Sequence, residues 1–239
     1  MKKYFILCLL TLLFYSTSFF AQDSTSVAQI NPSEGLNKGF YAFSVGVNFG
    51  QFTSKNEDAF FYYILDEKNI KYNIKVGFSY NIKDNSALGV GFKFINDETS
   101  ILYENTVGDT INSNSRERRY VTNIFYGISK SLFGSKRVFL ISDPSLFFTA
   151  GNKDSSRVID GISEQSESHF KSVSLGLHVG LQVFLAPKLS AQFTVGPIGI
   201  GYQWEEFEID GAPNGKTESF FARMSPDILS FNFSMSTYF

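Results

Sequence analysis

The sequence predicts an all-β chain, an up-and-down antiparallel barrel of eight transmembrane strands with long extracellular links and short periplasmic turns. Three observations predict it: apolar residues alternate with small or polar ones, the links alternate in length, and the aromatic load is heavy. The 239 residues include 27 Phe, 12 Tyr and one Trp, yet mean hydropathy is only −0.06. Beyond residue 21 no stretch reaches the run of about 18 apolar residues that a membrane helix needs.

The alternation is plainest over 169–185, where Val173, Leu175, Leu177, Val179, Leu181, Val183 and Leu185 interleave with Ser172, Ser174, Gly176, His178, Gly180 and Gln182. That is a period of two, the signature of a strand between two different environments. Over 39–51, Tyr41, Phe43, Val45, Val47 and Phe49 oppose Ala42, Ser44, Gly46, Asn48 and Gly50. Over 70–82, Tyr72, Ile74, Val76, Phe78 and Tyr80 oppose Lys71, Asn73, Lys75, Gly77 and Ser79. The remaining strands are read at 87–95, 118–131, 138–151, 189–205 and 218–239. Pro144, Pro197 and Pro226 fall inside three of them and predict bulges or phase shifts, because proline cannot donate to the ladder.

Alternation alone does not separate a soluble sandwich from a membrane barrel; the links do. Residues 52–69, 96–117, 152–168 and 206–217 are long, whereas 83–86, 132–137 and 186–188 are short and carry turn residues such as Asp84-Asn85 and Gly134-Ser135. An even strand count with links of this kind is the pattern of outer-membrane barrels, which return both termini to the periplasm. Acidic residues gather in the long links, which should be solvated and mobile. The short turns carry Lys83, Lys136, Arg137 and Lys188. Strands longer than the 9 to 11 residues that cross the hydrocarbon should project above it as a β-rim.

Residues 1–21 read as a secretory signal, with Lys2 and Lys3 ahead of an apolar stretch and a small, polar exit. Residues 22–38 are then a polar periplasmic segment, and 39–239 the barrel. The single cysteine, Cys8, lies in the signal, so disulfides, cysteine zinc sites and iron–sulfur clusters are not expected. With 21 basic against 23 acidic residues there is no basic footprint for nucleic acid.

The last segment alternates to the final residue, with Phe231, Phe233, Met235 and Phe239 on one phase. A terminal phenylalanine closing such a strand resembles the targeting signal of bacterial outer-membrane barrels, and the resemblance implies recognition by the barrel-assembly machinery. In strand count and link alternation, residues 39–239 resemble the small OmpA/OmpX-type barrels. The resemblance implies location in the bacterial outer membrane, with outer-membrane lipid as partner.

Outward aromatics near strand ends suit two interfacial girdles. Tyr41, Tyr80, Phe139, Tyr238 and Phe239 are assigned to the periplasmic one. Phe52, Phe92, Phe94, Tyr120, Phe148, Tyr202 and Trp204 are assigned to the outer one.

Eight strands leave an interior just wide enough to be filled by side chains. Inward phase sends Lys71, Lys75, Lys93, Arg119 and Asp143 there, and their heights predict a Lys75–Asp143 ion pair across the lumen. His178 is inward. His169 stands near the outer rim beside Ser166, Glu167 and Ser168, the residue types of nucleophilic chemistry. Adjacent strand residues face apart, however, so Ser168 and His169 should not meet. Two histidines nine apart and no mature cysteine build no transition-metal site, the acidic run Glu205, Glu206, Glu208 and Asp210 lacks EF-hand spacing, and no cofactor is expected. The aromatic run Phe60 to Leu65 reads as a strand-like extension over the barrel mouth. The functional expectation is a non-catalytic barrel, structural or offering its long acidic links to a surface ligand. The alternatives are a lipid-modifying enzyme, a narrow solute channel and an accessory subunit of a transport complex.

Overall fold

Successive side chains can face two different solvents only from an extended backbone, so the alternating segments form strands. The computed structural model describes residues 33–59, 62–105, 110–159, 162–209, 212–223 and 232–239. They form a 3-10 turn, Glu34–Leu36, and nine strands: β1 (Tyr41–Ala59), β2 (Tyr62–Lys83), β3 (Ser86–Asn105), β4 (Thr110–Ser131), β5 (Val138–Ile159), β6 (Ile162–Ala186), β7 (Leu189–Ile209), β8 (Ala212–Arg223) and β9 (Asn232–Tyr238). Every pairing is antiparallel between neighbours, and β9 pairs with both β1 and β7, so the sheet closes on itself. β8 and β9 occupy the upper and lower parts of one position beside β7, which makes a ring of eight. Closure through β9 removes the edge from the lower wall and pairs its ladder donors and acceptors there, while among the described residues β8 pairs with β7 alone and β1 beyond Val47 with β2 alone.

The strand centres follow the alternation, but their ends do not. The stretches read as long links are mostly strand: β1 and β2 stay in register from Tyr41↔Tyr80 to Ala59↔Tyr62, and β3 and β4 from Ser86↔Ile128 to Glu104↔Thr110. The physical reason is that above the lipid both faces of a strand are wet, so the apolar period disappears while the hydrogen-bonded ladder continues. The expectation of an exposed β-rim holds, and the long links are solvated as paired strand instead of loop. Of the aromatic run in the first link, Tyr62–Leu65 opens β2, while Phe60 and Phe61 lie outside the described residues.

The prolines act differently from one another. Opposite Pro197 the β6–β7 register shifts between Leu177 and Val179, and the inward phase of β7 changes from Ser190 and Thr194 to Gly199 and Gly201. At Pro144 the β4–β5 ladder skips from Phe125↔Ser145 to Ile128↔Ser142 without a change of register, a gap instead of a bulge. Pro226 lies outside the described residues.

A belt of exposed apolar side chains rings the wall, including Phe43, Ile74, Phe78, Val90, Ile124, Leu140, Leu175, Leu181 and Phe193. At the short-turn end Tyr41 packs on Tyr80, Phe78 and Phe239 with ring centroids 4.8, 5.7 and 6.2 Å away. At the other border Phe94 lies between Tyr72 and Tyr120, and Tyr202 meets Trp204. Two girdle assignments are corrected: Phe139 and Tyr238 are 5% and 6% exposed and point into the barrel. Their phase required it, since Phe139 shares the phase of Ile141 and Asp143, and Tyr238 that of Ser236. The side chain of Phe52 lies outside the described residues.

Candidate functional site

The short-turn end of the lumen is filled by a plug that the strands alone do not supply. Just before β1 the chain turns inward through Glu34–Leu36, and Leu36 joins Ala42, Phe139, Phe184 and Tyr238 in a buried apolar cluster. The rings of Phe139 and Phe184 meet edge-on at 5.8 Å, and Phe184 meets Tyr238 at 5.6 Å. Only glycine fits at position 35, since a Cβ there would lie 2.5 Å from Cγ of Tyr238. The phenol of Tyr238 accepts a hydrogen bond from Gln182 Nε2 at 2.5 Å, and Gln182 also donates to Ser190 Oγ at 2.9 Å.

Backbone bonds strap this segment to two turns. Gly35 N–H donates to Pro187 O at 3.0 Å, Asn85 N–H to Leu36 O at 2.8 Å, and Gly39 N–H to Asn81 O at 2.9 Å. Asn81 Nδ2 donates to the carbonyls of Gly35 and Asn37, and Lys38 N–H to Asp84 Oδ1. Held by this many directed bonds, the plug belongs to the fold and is not a loose tail.

Above the floor lies a small void of about 70 Å³ lined by Asp143, Lys75, His178 and Gln192. It is followed by a cavity of about 450 Å³ that reaches Lys75, Lys93, Arg119, Glu117 and His178. A vestibule of about 830 Å³ tops it, lined by Arg116, Arg118, Glu98, Asp154, Glu167 and Glu208. Among the described residues, side chains therefore fill the lumen at one end only.

All four lumen candidates face inward, and the one pair expected from their heights is Lys75–Asp143. Lys75 and Asp143 line the same void and lie within electrostatic reach, yet among the described residues no ion pair joins them. Arg119 instead makes a two-pronged contact with Glu117, two residues along its own strand, at 2.5 and 2.9 Å. Lys71 reaches its cross-strand neighbour Asp97 at 3.3 Å. Both of these contacts join neighbours on one strand or across one ladder, so neither spans the lumen. Lys93, directly opposite Lys75 in the β2–β3 ladder, has Asn232 Oδ1 at 3.2 Å.

His178 packs edge-on to Phe147 at 5.3 Å, the arrangement of a packed lumen residue. His169 is exposed and contacts Glu167 at 3.3 Å, while Ser168 is buried on the opposite face. The base and the serine hydroxyl are thus separated by the barrel wall. Among the described residues no three His, Cys, Asp or Glu side chains gather as metal ligands. Of the four C-terminal signal residues, Phe233 and Phe239 are exposed on the wall, Met235 pairs in the same strand, and Phe231 lies outside the described residues. The plug was missed because Ser33–Leu36 carries no period. Asn232 was missed because a lone asparagine has no pattern.

A closed antiparallel ring with an apolar belt and a polar interior has counterparts among known proteins, and residues 20–204 match the sequence profile of the outer membrane protein beta-barrel domain. The chain belongs to that family. Its place is therefore the bacterial outer membrane. No curated protein matches the sequence. Among solved structures, a major outer membrane protein of Thermus thermophilus is similar at 13% identity and a TM-score of 0.43, over 83% of this chain and 99% of that one. OprG of Pseudomonas aeruginosa shows 9% identity and a TM-score of 0.43, over 87% and 99% of the two chains. Ail of Yersinia pestis shows 15% identity and a TM-score of 0.34, over 84% and 99%.

Proposed function

We propose that this barrel is a non-catalytic receptor-like cup, closed toward the periplasm and presenting its vestibule and β-rim at the cell surface. The observation that carries the reading is the floor, where Leu36, Phe139, Phe184 and Tyr238 pack together and the strap is hydrogen-bonded to two turns. Orientation follows from the short turns, which in this family of folds face the periplasm together with both termini. The outward face contacts outer-membrane lipid, and Phe231, Phe233, Met235 and Phe239 form the signal read by the assembly machinery.

A narrow channel would need the floor displaced, and a lipid-modifying enzyme would need a nucleophile beside His169. Reconstitution into planar bilayers tests the cup. The purified barrel is expected to give no steady conductance, and a variant lacking residues 33–37 to conduct. A stable ohmic pore in the unaltered protein would overturn the reading.

A further inference from the structure

The middle cavity has an unbalanced charge. Four cationic side chains, Lys75, Lys93, Arg119 and Lys153, line it against two carboxylates, Glu117 and Glu205, with Asp143 acting on Lys75 from the void below. Glu117 is already held by Arg119 through two hydrogen bonds. The charged groups that act on Lys93 are Lys75, Lys71 and Arg119, all of its own sign, and its hydrogen-bond partner among the described residues is the neutral Asn232. Lys75 stands directly across the ladder from it, an arrangement in which like charges repel. A charge withdrawn from bulk water needs an opposite charge or a bound counter-ion. The chain as a whole is acidic, with a formal net charge of −2, so this concentration of cations is local.

The wall facing the lysines is apolar. Phe147 and Phe170 are each 8% exposed and border the cavity with Phe221. Ser172, Ser174 and Thr194 add hydroxyl donors between wall and floor. A concave site of about 450 Å³ with an aromatic lining and a few converging polar groups is the form of a small-molecule pocket.

We propose that the lumen binds a small organic anion, its acidic head between Lys75 and Lys93 and its apolar body against Phe147, Phe170 and Phe221. The head is a carboxylate or a phosphate, both of which supply acceptors to two ammonium groups. The proposal rests on the cup reading for the side of entry, through the vestibule, but binding and conductance are separate measurements. A barrel that is electrically closed and does not bind would sink this inference alone.

The test is titration calorimetry on the full barrel in nanodiscs of zwitterionic lipid, with 3-phenylpropionate, phenyl phosphate and neutral 3-phenylpropan-1-ol as probes. At least one acid should bind at a single site tenfold or more tighter than the alcohol, and the tighter acid identifies the head group. Lys93→Met and Lys75→Met should each weaken that acid about tenfold, whereas Lys171→Met, on the exposed face, should not. Where methionine hinders assembly, Lys93→Gln serves instead. Equal binding of acid and alcohol, no binding of either acid, or undiminished affinity in the Lys93 variant would overturn the proposal.

Discussion

Leu36→Ala probes the plug directly. Leu36 is 7% exposed and packs among Ala42, Phe139, Phe184 and Tyr238. Losing three buried carbons at about 0.8 kcal/mol each amounts to about 2.4 kcal/mol of transfer free energy. The surrounding rings are anchored to strands of a closed wall and cannot collapse inward, so a cavity contribution adds to it, within the range of about 2–5 kcal/mol for such truncations. A total near 3 kcal/mol corresponds to a roughly hundredfold change in an equilibrium constant. Because the barrel wall is held by its own ladders, the loss should appear as local undocking of the 33–39 segment and not as global unfolding. Hydrogen exchange separates the two. The Asn85 amide, which donates to Leu36 O, reports on the plug from another element, and the Val45 amide reports on the wall. Exchange at Asn85 should rise about a hundredfold while that at Val45 stays unchanged. If both rise together, or neither does, the plug is not a separately docked unit.

Three further outcomes are expected. Glu117→Gln should lower the stability of the refolded barrel by about 1–2 kcal/mol in heat-modifiability melts, because it weakens a two-pronged charged contact whose partners are 28% and 24% exposed. Arg119→Met in the same background should cost little more. At the exposed tip of β7–β8, the hydrogen bond and charge of Lys216 hold the Glu206 carboxyl below the usual carboxylate range, and Glu206 holds the Lys216 ammonium above its ordinary value. The Glu206 share of hairpin stability is thus present above about pH 4.3 and lost as pH falls through its lowered value. The Lys216 share is present below about pH 10.4 and lost as pH rises through its raised value. In Lys216→Ala, the NMR titration midpoint of Glu206 should move up toward an ordinary glutamate. Phe239→Ala should reduce the amount of assembled barrel in cells while leaving refolding in detergent nearly unchanged. The Phe239 backbone would still exchange hydrogen bonds with Tyr41 at 2.9 and 3.0 Å, whereas the ring is exposed. Equal loss in both settings would place the role of that ring in stability and not in assembly.

Reading the fold from the sequence worked where two solvents act on one strand. Lipid outside and a polar lumen inside impose a period of two over Tyr41–Phe49, Tyr72–Ile82 and Val173–Leu185, and the structure keeps that facing. The same rule fails above the membrane, where 52–59 and 96–105 remain strand although neither face is apolar. Phase also governs strand-end aromatics, since Phe139 and Tyr238 lie near strand ends and still point inward.

The sequence by itself determined the class of fold, the inward or outward facing of most strand residues and the presence of cations in the lumen, because each depends on neighbours one or two residues away. Only the tertiary structure decided that Ser33–Leu36 seals one end, that Lys75 and Asp143 do not pair, and that Lys93 stands among cations. Those outcomes depend on how eight staves stagger when the ring closes. Closure sets distances across the lumen that no local pattern encodes.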